Sequence, residues 1–267
     1  MQLLHQLSFY IHVSIGAFAL LVFWIPVVAR KGSLNHKRFG RFFASAMYAV
    51  AFSGLIMSSL DMAFPLSGHT PGTDVSAEAQ TTMAQNIRMF ALFLFSLSIL
   101  VLATTRQGWL AIQNKADRTE LRAPLHVGLN CGLVLIGATL LFTGVLSGEW
   151  LFSIFGGLEI VVGLTQLHYS LKAQLKPQEW WIEHLGGLTA SGIAAYTAFF
   201  VFGGSRVINQ LFTGAYADVQ ILLWVAPGVA GGLAITILSR RYTRRFAALN
   251  RQFRDGHNKD SGILSQK

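Results

Sequence analysis

Seven apolar runs, each long enough to cross a bilayer as a helix, recur along the whole chain and constrain its fold more than any other feature. A hydrocarbon layer about 30 Å thick takes roughly 20 helical residues to span. The runs are Phe9 to Ala29, Phe42 to Phe64, Ile87 to Thr105, Pro124 to Leu146, Trp150 to Leu171, Trp180 to Gly203 and Val219 to Ser239. A soluble core could not bury that much apolar surface. Lipid solvates it, provided that every backbone group is bonded within a helix. The composition agrees: 52% of residues are hydrophobic, only 12% are charged, and the mean hydropathy is +0.48. The fold class predicted is an all-α polytopic transmembrane bundle over residues 1–239, followed by a basic tail over 240–267.

Charge sets the expected orientation. Of the 21 lysines and arginines, all but Arg88 and Arg206 fall in the connections after spans one, three and five or in the tail. Positive residues stay in the cytoplasm. The N-terminus is therefore expected outside and the C-terminus inside, in a cytoplasmic (inner) membrane. A missed span would scramble this split, so the split also supports the span count. The net charge of +9 would suggest nucleic acid in a soluble protein. Here the cations border apolar runs, and the anionic inner leaflet is the expected partner. The lone cysteine, Cys131, admits no intrachain disulfide.

The first run lacks a basic leader and a small-residue cleavage site, so it reads as a retained span. The loop from Pro65 to Gln85, with Asp74 and Glu78, reads as solvated. In the tail, Tyr242, Phe246, Leu249 and Phe253 recur at helical spacing among arginines. This pattern predicts a basic amphipathic helix lying on the inner leaflet.

Ionisable groups within apolar runs are costly and turn toward the bundle interior. On the outer side are His12, Asp61 and Arg88. Asp61 shares a face with Gly54 and Met47, a narrow face that admits a close neighbour. The expectation there is an Asp61–Arg88 pair beside His12, either lining a path or serving as structure. At mid-depth, Glu159 shares a face with Gly156, Gly163 and Gln166. It can carry protons, bind a cation, bond a ligand or simply bond a neighbouring helix.

On the cytoplasmic side are His36, His126, His168, His184 and Glu183. Imidazole ligates both haem iron and metal ions, so histidines from several helices at one depth suit one haem b or a divalent metal. His126 is followed on its face by Asn130 and Gly137, and His184 by Gly187 and Ser191. These two are expected to point into one cavity as the ligands, with His168 or His36 as substitutes. His168 is the expected bystander. Interfacial histidines bonded to lipid phosphate or backbone carbonyls are the plainer alternative for each.

No phosphate loop, nucleophile elbow or HExxH spacing occurs. The pairs Gly156-Gly157, Gly186-Gly187 and Gly231-Gly232 read as helix-packing surfaces. Ile11-His-Val-Ser14 and Leu125-His-Val-Gly128 hint weakly at an internal repeat.

Some segments carry a family resemblance. They are His12-Val-Ser-Ile-Gly16, Lys31-Gly32, His36-Lys-Arg-Phe-Gly40-Arg41 and, in the sixth span, Trp181-Ile-Glu-His184 with Ser191-Gly-Ile-Ala-Ala. Together they resemble a bacterial family of multi-pass membrane proteins, domain of unknown function 2306. The resemblance implies a helical membrane fold and no assigned activity. A looser similarity is to cytochrome-b-type bundles. The outer half offers only His12 with His5 and His69, which supplies at most one haem, near the cytoplasmic face.

Three activities fit these residues. One is a redox protein holding haem b or a metal. Another is a small-molecule or ion transporter using Glu159, Asp61 and Arg88. The least supported is a zinc hydrolase with Glu183 as base.

Overall fold

The computed structural model describes residues 2–67, 75–203 and 216–264, with side chains described over 3–67, 75–203 and 222–248. His69, Asp74, Arg206, Gly214 and the side chains of Leu249 and Phe253 lie outside the described residues. The helices are α1 (Gln2–Val28), α2 (Leu34–Ala63), α3 (Ala77–Asn114), the single turn α4 (Thr119–Arg122), α5 (Pro124–Ser147), α6 (Trp150–Leu171), α7 (Glu179–Ala198) and α8 (Tyr216–Leu264). A π-helical turn, Phe199–Gly203, extends α7. No strand occurs among the described residues.

Seven of these helices are long and apolar enough to cross a membrane. The chain is thus a multi-pass transmembrane bundle, and its outer surface behaves accordingly. Leu21, Leu135 and Leu146 expose 76%, 70% and 71% of their surface. Polar residues such as His126, Asn130 and Glu159 are fully buried. That inversion of the soluble pattern is what a lipid solvent selects.

Helix α3 is the hub. It packs against α2, α5 and α7 and touches α6, while α5 and α6 form a tight antiparallel hairpin. Small residues set these distances. On α2, a Cβ at Gly54 would lie 2.5 Å from the Ser98 hydroxyl of α3, which bears out the narrow face shared with Met47. One glycine of each expected pair makes the contact. A Cβ at Gly156, Gly187 or Gly231 would meet a neighbouring helix at 2.5, 2.7 or 2.2 Å. Gly157 and Gly232 meet nothing within 4 Å, and Gly186 only a methyl at 4.0 Å.

Several boundaries differ from expectation. Helices α1, α2 and α3 begin at Gln2, Leu34 and Ala77, ahead of the runs expected from Phe9, Phe42 and Ile87, so residues 77–85 of the expected loop are helical. Helix α3 continues nine residues beyond Thr105 to Asn114, so Arg106 is a helix residue and not part of a loop. Helix α8 runs without a break from Tyr216 through the expected tail to Leu264. Two residues of its apolar face are in contact with protein. Tyr242 and Phe246 pack on the Trp181 ring of α7, with centroids 4.2 and 5.6 Å away.

The loop between α3 and α5 secures the end of α6. Arg118, buried, donates to the carbonyls of Tyr169, Lys172 and Ala173 at 3.1, 2.6 and 3.1 Å. Arg122 adds bonds to Ser170 and Lys172. The last carbonyls of a helix lack intrahelical donors and carry partial negative charge, so two guanidinium groups there satisfy both needs.

Candidate functional site

The α5–α6 hairpin carries the most unusual polar residues in the bundle. On α5, His126 and Asn130 are one turn apart and fully buried. On α6, Glu159, Gly163, Gln166 and Ser170 follow one face. Glycines bring these faces together. A Cβ at Gly137 would lie 2.9 Å from Glu159 Cβ, and one at Gly163 would lie 3.1 Å from the Asn130 carbonyl oxygen. The register therefore runs from Glu159 near mid-helix, past Asn130, to His126 near the basic end.

Helices α3 and α7 close the other side. Gln107 of α3 donates from Nε2 to Glu183 Oε1 of α7 at 2.7 Å. Its Oε1 faces His126 Nε2, also at 2.7 Å. Asn130 Nδ2 lies on the same nitrogen at 3.1 Å. The Gln107 oxygen pairs with a protonated Nε2 and the Asn130 amine with a bare one, so the two neighbours favour opposite tautomers. Nδ1 is buried and without a protein partner. Asn130 donates from Nδ2 to the His126 carbonyl at 3.0 Å, and its Oδ1 has no partner.

Unsatisfied atoms continue along the same seam. Gln166 Oε1, Ser170 Oγ and both carboxyl oxygens of Glu159 are buried without a hydrogen-bond partner. Ser96 stands beside Glu159, yet its hydroxyl donates to the Phe93 carbonyl at 2.8 Å. Buried polar groups are normally paired, so this run of atoms marks the seam as the candidate site.

On the side of Glu159 away from the basic end the interior turns apolar. Phe93, Phe152, Phe155, Leu140, Val201 and Trp224 form one buried cluster. The Phe93 ring stacks on Phe152 at 5.3 Å and meets Phe155 and Trp224 at the same separation. The polar seam thus runs from Glu159 toward the basic end of the bundle, where Leu110, Leu121 and Tyr169 form a second buried cluster, and meets apolar rings at the other.

The remaining histidines sit elsewhere. His184 donates from Nδ1 to the Gly108 carbonyl at 3.0 Å. Its ring neighbour is His36, not His126, with centroids 6.4 Å apart. Gln107 and Gly108 are consecutive on α3 and point to different sides, so they direct His126 and His184 into separate bonding sets. His168 is exposed on α6. No group of three His, Cys, Asp or Glu side chains suited to a metal occurs among the described residues.

The outer set is also arranged differently from the expectation. Asp61 pairs with His5 at 3.2 Å, and not with Arg88. Arg88 is exposed and donates to the Met62 carbonyl at 3.2 Å. His12 bonds the Ser53 hydroxyl at 3.0 Å. Asp61 is satisfied from α1 because α1 and α2 are direct neighbours, with His5 at the same level. These groups tie α1, α2 and α3 together and stand apart from the Glu159 seam.

Gln107 escaped the sequence reading because the third span was ended at Thr105. Carrying the apolar run one turn further would have placed it opposite His126. Thr104 and Thr105, which bond Ser191 of α7 at 3.2 and 2.9 Å, carry no signal of their own. No family model, curated protein or solved structure matches the chain.

Proposed function

We propose that this protein is a membrane transporter that takes up protons, as driving ion or as cargo, at Glu159. The observation that carries the reading is the state of that side chain. It is fully buried near the middle of α6, with no charged partner, and the Ser96 hydroxyl beside it is shared with the Phe93 carbonyl. An unpaired carboxylate in a low-dielectric interior is costly, so something must neutralise it: a proton or a small cation. Asn130, His126, Gln107 and Glu183 then supply polar groups from Glu159 toward the basic end.

Gln107 gives the route a direction-sensitive element. With Glu183 ionised, the amide donates to it and accepts from His126 Nε2–H. When Glu183 holds a proton, the favoured amide orientation inverts. Oε1 then accepts from Glu183 and Nε2 donates to the imidazole, which moves the His126 proton to Nδ1. Protonation at Glu183 and the free nitrogen of His126 are thereby coupled through one side chain. The aromatic cluster beyond Glu159 closes one side of the route, as one state of an alternating-access cycle requires.

The test is proton flux in liposomes containing the purified full chain, read with an enclosed pH-sensitive dye under an imposed gradient. Wild-type protein is expected to dissipate the gradient and Glu159→Gln to lose that activity. His126→Ala and Glu183→Gln are expected to slow it. Flux in the folded Glu159→Gln protein equal to wild type, or none from wild type with protons alone or with added solutes, would sink the reading.

A further inference from the structure

Arg106 is not bonded into the Glu159 seam, and its setting is unusual for a cation on a membrane helix. Successive residues of a helix turn by about 100°. Gly108 of α3 meets the backbone of α7, where a Cβ would lie 2.7 Å from the Leu188 nitrogen. Gln107 faces His126 of α5. Arg106 is one further step round. It points away from α7, into the furrow between α2 and α5, which flank α3 without being packed on each other. Its neighbours come from both walls. The Tyr48 hydroxyl of α2 lies beside the guanidinium, and His126 of α5 is near enough to feel its charge.

Among the described residues Arg106 makes no salt bridge, and its Nε is buried without a hydrogen-bond partner. Arginine keeps its charge in proteins. A cation on a membrane helix pairs with an acid or with carbonyls, or reaches an anion at the interface. Depth selects the last of these. Arg106 directly follows the apolar run that ends at Thr105. It stands about two turns before Asn114, where α3 stops at the basic end. That is the level of phospholipid head groups.

The adjoining face of α2 is laid out like a lipid. Arg41, Ser45, Tyr48, Phe52, Leu55 and Ser59 recur at spacings of three and four and so form one stripe. Toward the basic end it carries a guanidinium and two hydroxyls, with Arg41 and Ser45 exposed and Tyr48 half-buried. Beyond Tyr48 the stripe turns apolar. Phe52, Leu55, Ile56, Ser59 and Leu60 line a surface concavity there. Donors at head-group depth, followed by an apolar trough running into the membrane, match a phosphate and its acyl chain. Guanidinium groups bond phosphate bidentately, and two of them favour a head group with net negative charge.

We propose that Arg106 and Arg41, with the Ser45 and Tyr48 hydroxyls, hold the phosphate of one anionic phospholipid from the leaflet at the basic end, with its acyl chain along the α2 trough. The site does not rest on proton movement through Glu159 and is tested apart from it. The full chain, purified in detergent, is titrated in separate arms with dioleoylphosphatidylglycerol, dioleoylphosphatidylcholine and inorganic phosphate. Native mass spectrometry reads the bound lipid, and thermal unfolding reads all three arms. One phosphatidylglycerol per chain is expected, bound severalfold more tightly than phosphatidylcholine, with no shift from inorganic phosphate.

Arg106→Gln is expected to weaken phosphatidylglycerol binding roughly tenfold, the loss of one charge-assisted contact. Arg41→Gln is expected to weaken it less, and Arg88→Gln, toward the other end of α3, to leave it unchanged. Phosphatidylglycerol with a diazirine in its acyl chain is expected to label residues 52–60 of the wild-type chain, a result that does not depend on how the variants fold. Equal binding of the two lipids, a response to inorganic phosphate alone, unchanged binding by the folded Arg106→Gln protein, or label spread evenly over the helices would overturn the proposal.

Discussion

Gln107 shows how much one side chain carries in this bundle. It joins α3, α5 and α7 through two bonds of 2.7 Å, one to Glu183 and one to His126. Gln107→Leu fits the volume but leaves a buried carboxyl and a buried imidazole without their partner. Each orphaned group costs about 1–3 kcal/mol. We expect a clear drop in the unfolding midpoint of the detergent-solubilised protein, together with loss of proton flux. Gln107→Leu as stable as wild type would show that Glu183 and His126 find other partners. The sequence shows Glu159, His126 and His184 plainly, because ionisable residues stand out against apolar neighbours. It does not show who bonds whom. Asp61 was matched with Arg88 by depth alone, yet it pairs with His5, which lies fifty-six residues away in sequence and next to it in space. Depth follows from a residue's place in its span, whereas pairing depends on which helices are neighbours and how each is rotated.

At the level of elements, the α5–α6 hairpin exists because its glycines let two backbones touch. A Cβ at Gly156 would sit 2.5 Å from the Leu141 nitrogen and 2.6 Å from the Gly137 carbonyl oxygen. Backbone cannot move aside as a side-chain tip can. Gly156→Val is therefore expected to separate the helices and lower thermal stability strongly, by several kcal/mol as overpacking and lost contacts combine. Gly157, its neighbour, has nothing within 4 Å. Gly157→Ala is expected to be neutral or to stabilise by up to about 1 kcal/mol, since alanine is the better helix former. Equal midpoints for the two variants in one detergent would remove the close-packed hairpin. Glycine pairs were legible as packing surfaces, but not which member of each pair makes the contact. A step of one residue turns the face by about 100°, and only the position of the partner helix selects between them. The tail was legible as an amphipathic helix, but not its continuity with the last span or its contact with α7, for a related reason. An amphipathic stretch reads alike whether it lies on lipid or on protein, and Trp181 supplies a protein surface for Tyr242 and Phe246.

For the whole molecule, seven crossings would put the two termini on opposite sides, and the basic connections predict which side is cytoplasmic. The basic residues border the ends of α1, α3 and α6 and the starts of α2, α5 and α7. This is also the end toward which the polar seam runs and where His36 and His184 lie. If that end faces the cytoplasm, the proposed proton uptake at Glu159 would be from the cytoplasmic side, with the aromatic cluster between Glu159 and the outside. Reporter fusions decide the matter. Fusions after Arg122 and after Lys267 should report cytoplasm, and fusions near Asp74 and Gly214 should report the outside. Arg88 and Arg206 are too few to oppose the remaining cations, and short connections obey the positive-inside rule most closely. Two of the four reporters on the wrong side would discard the seven-span topology. All four inverted would keep the bundle but turn the seam outward, so that proton uptake by Glu159 would begin from the opposite compartment.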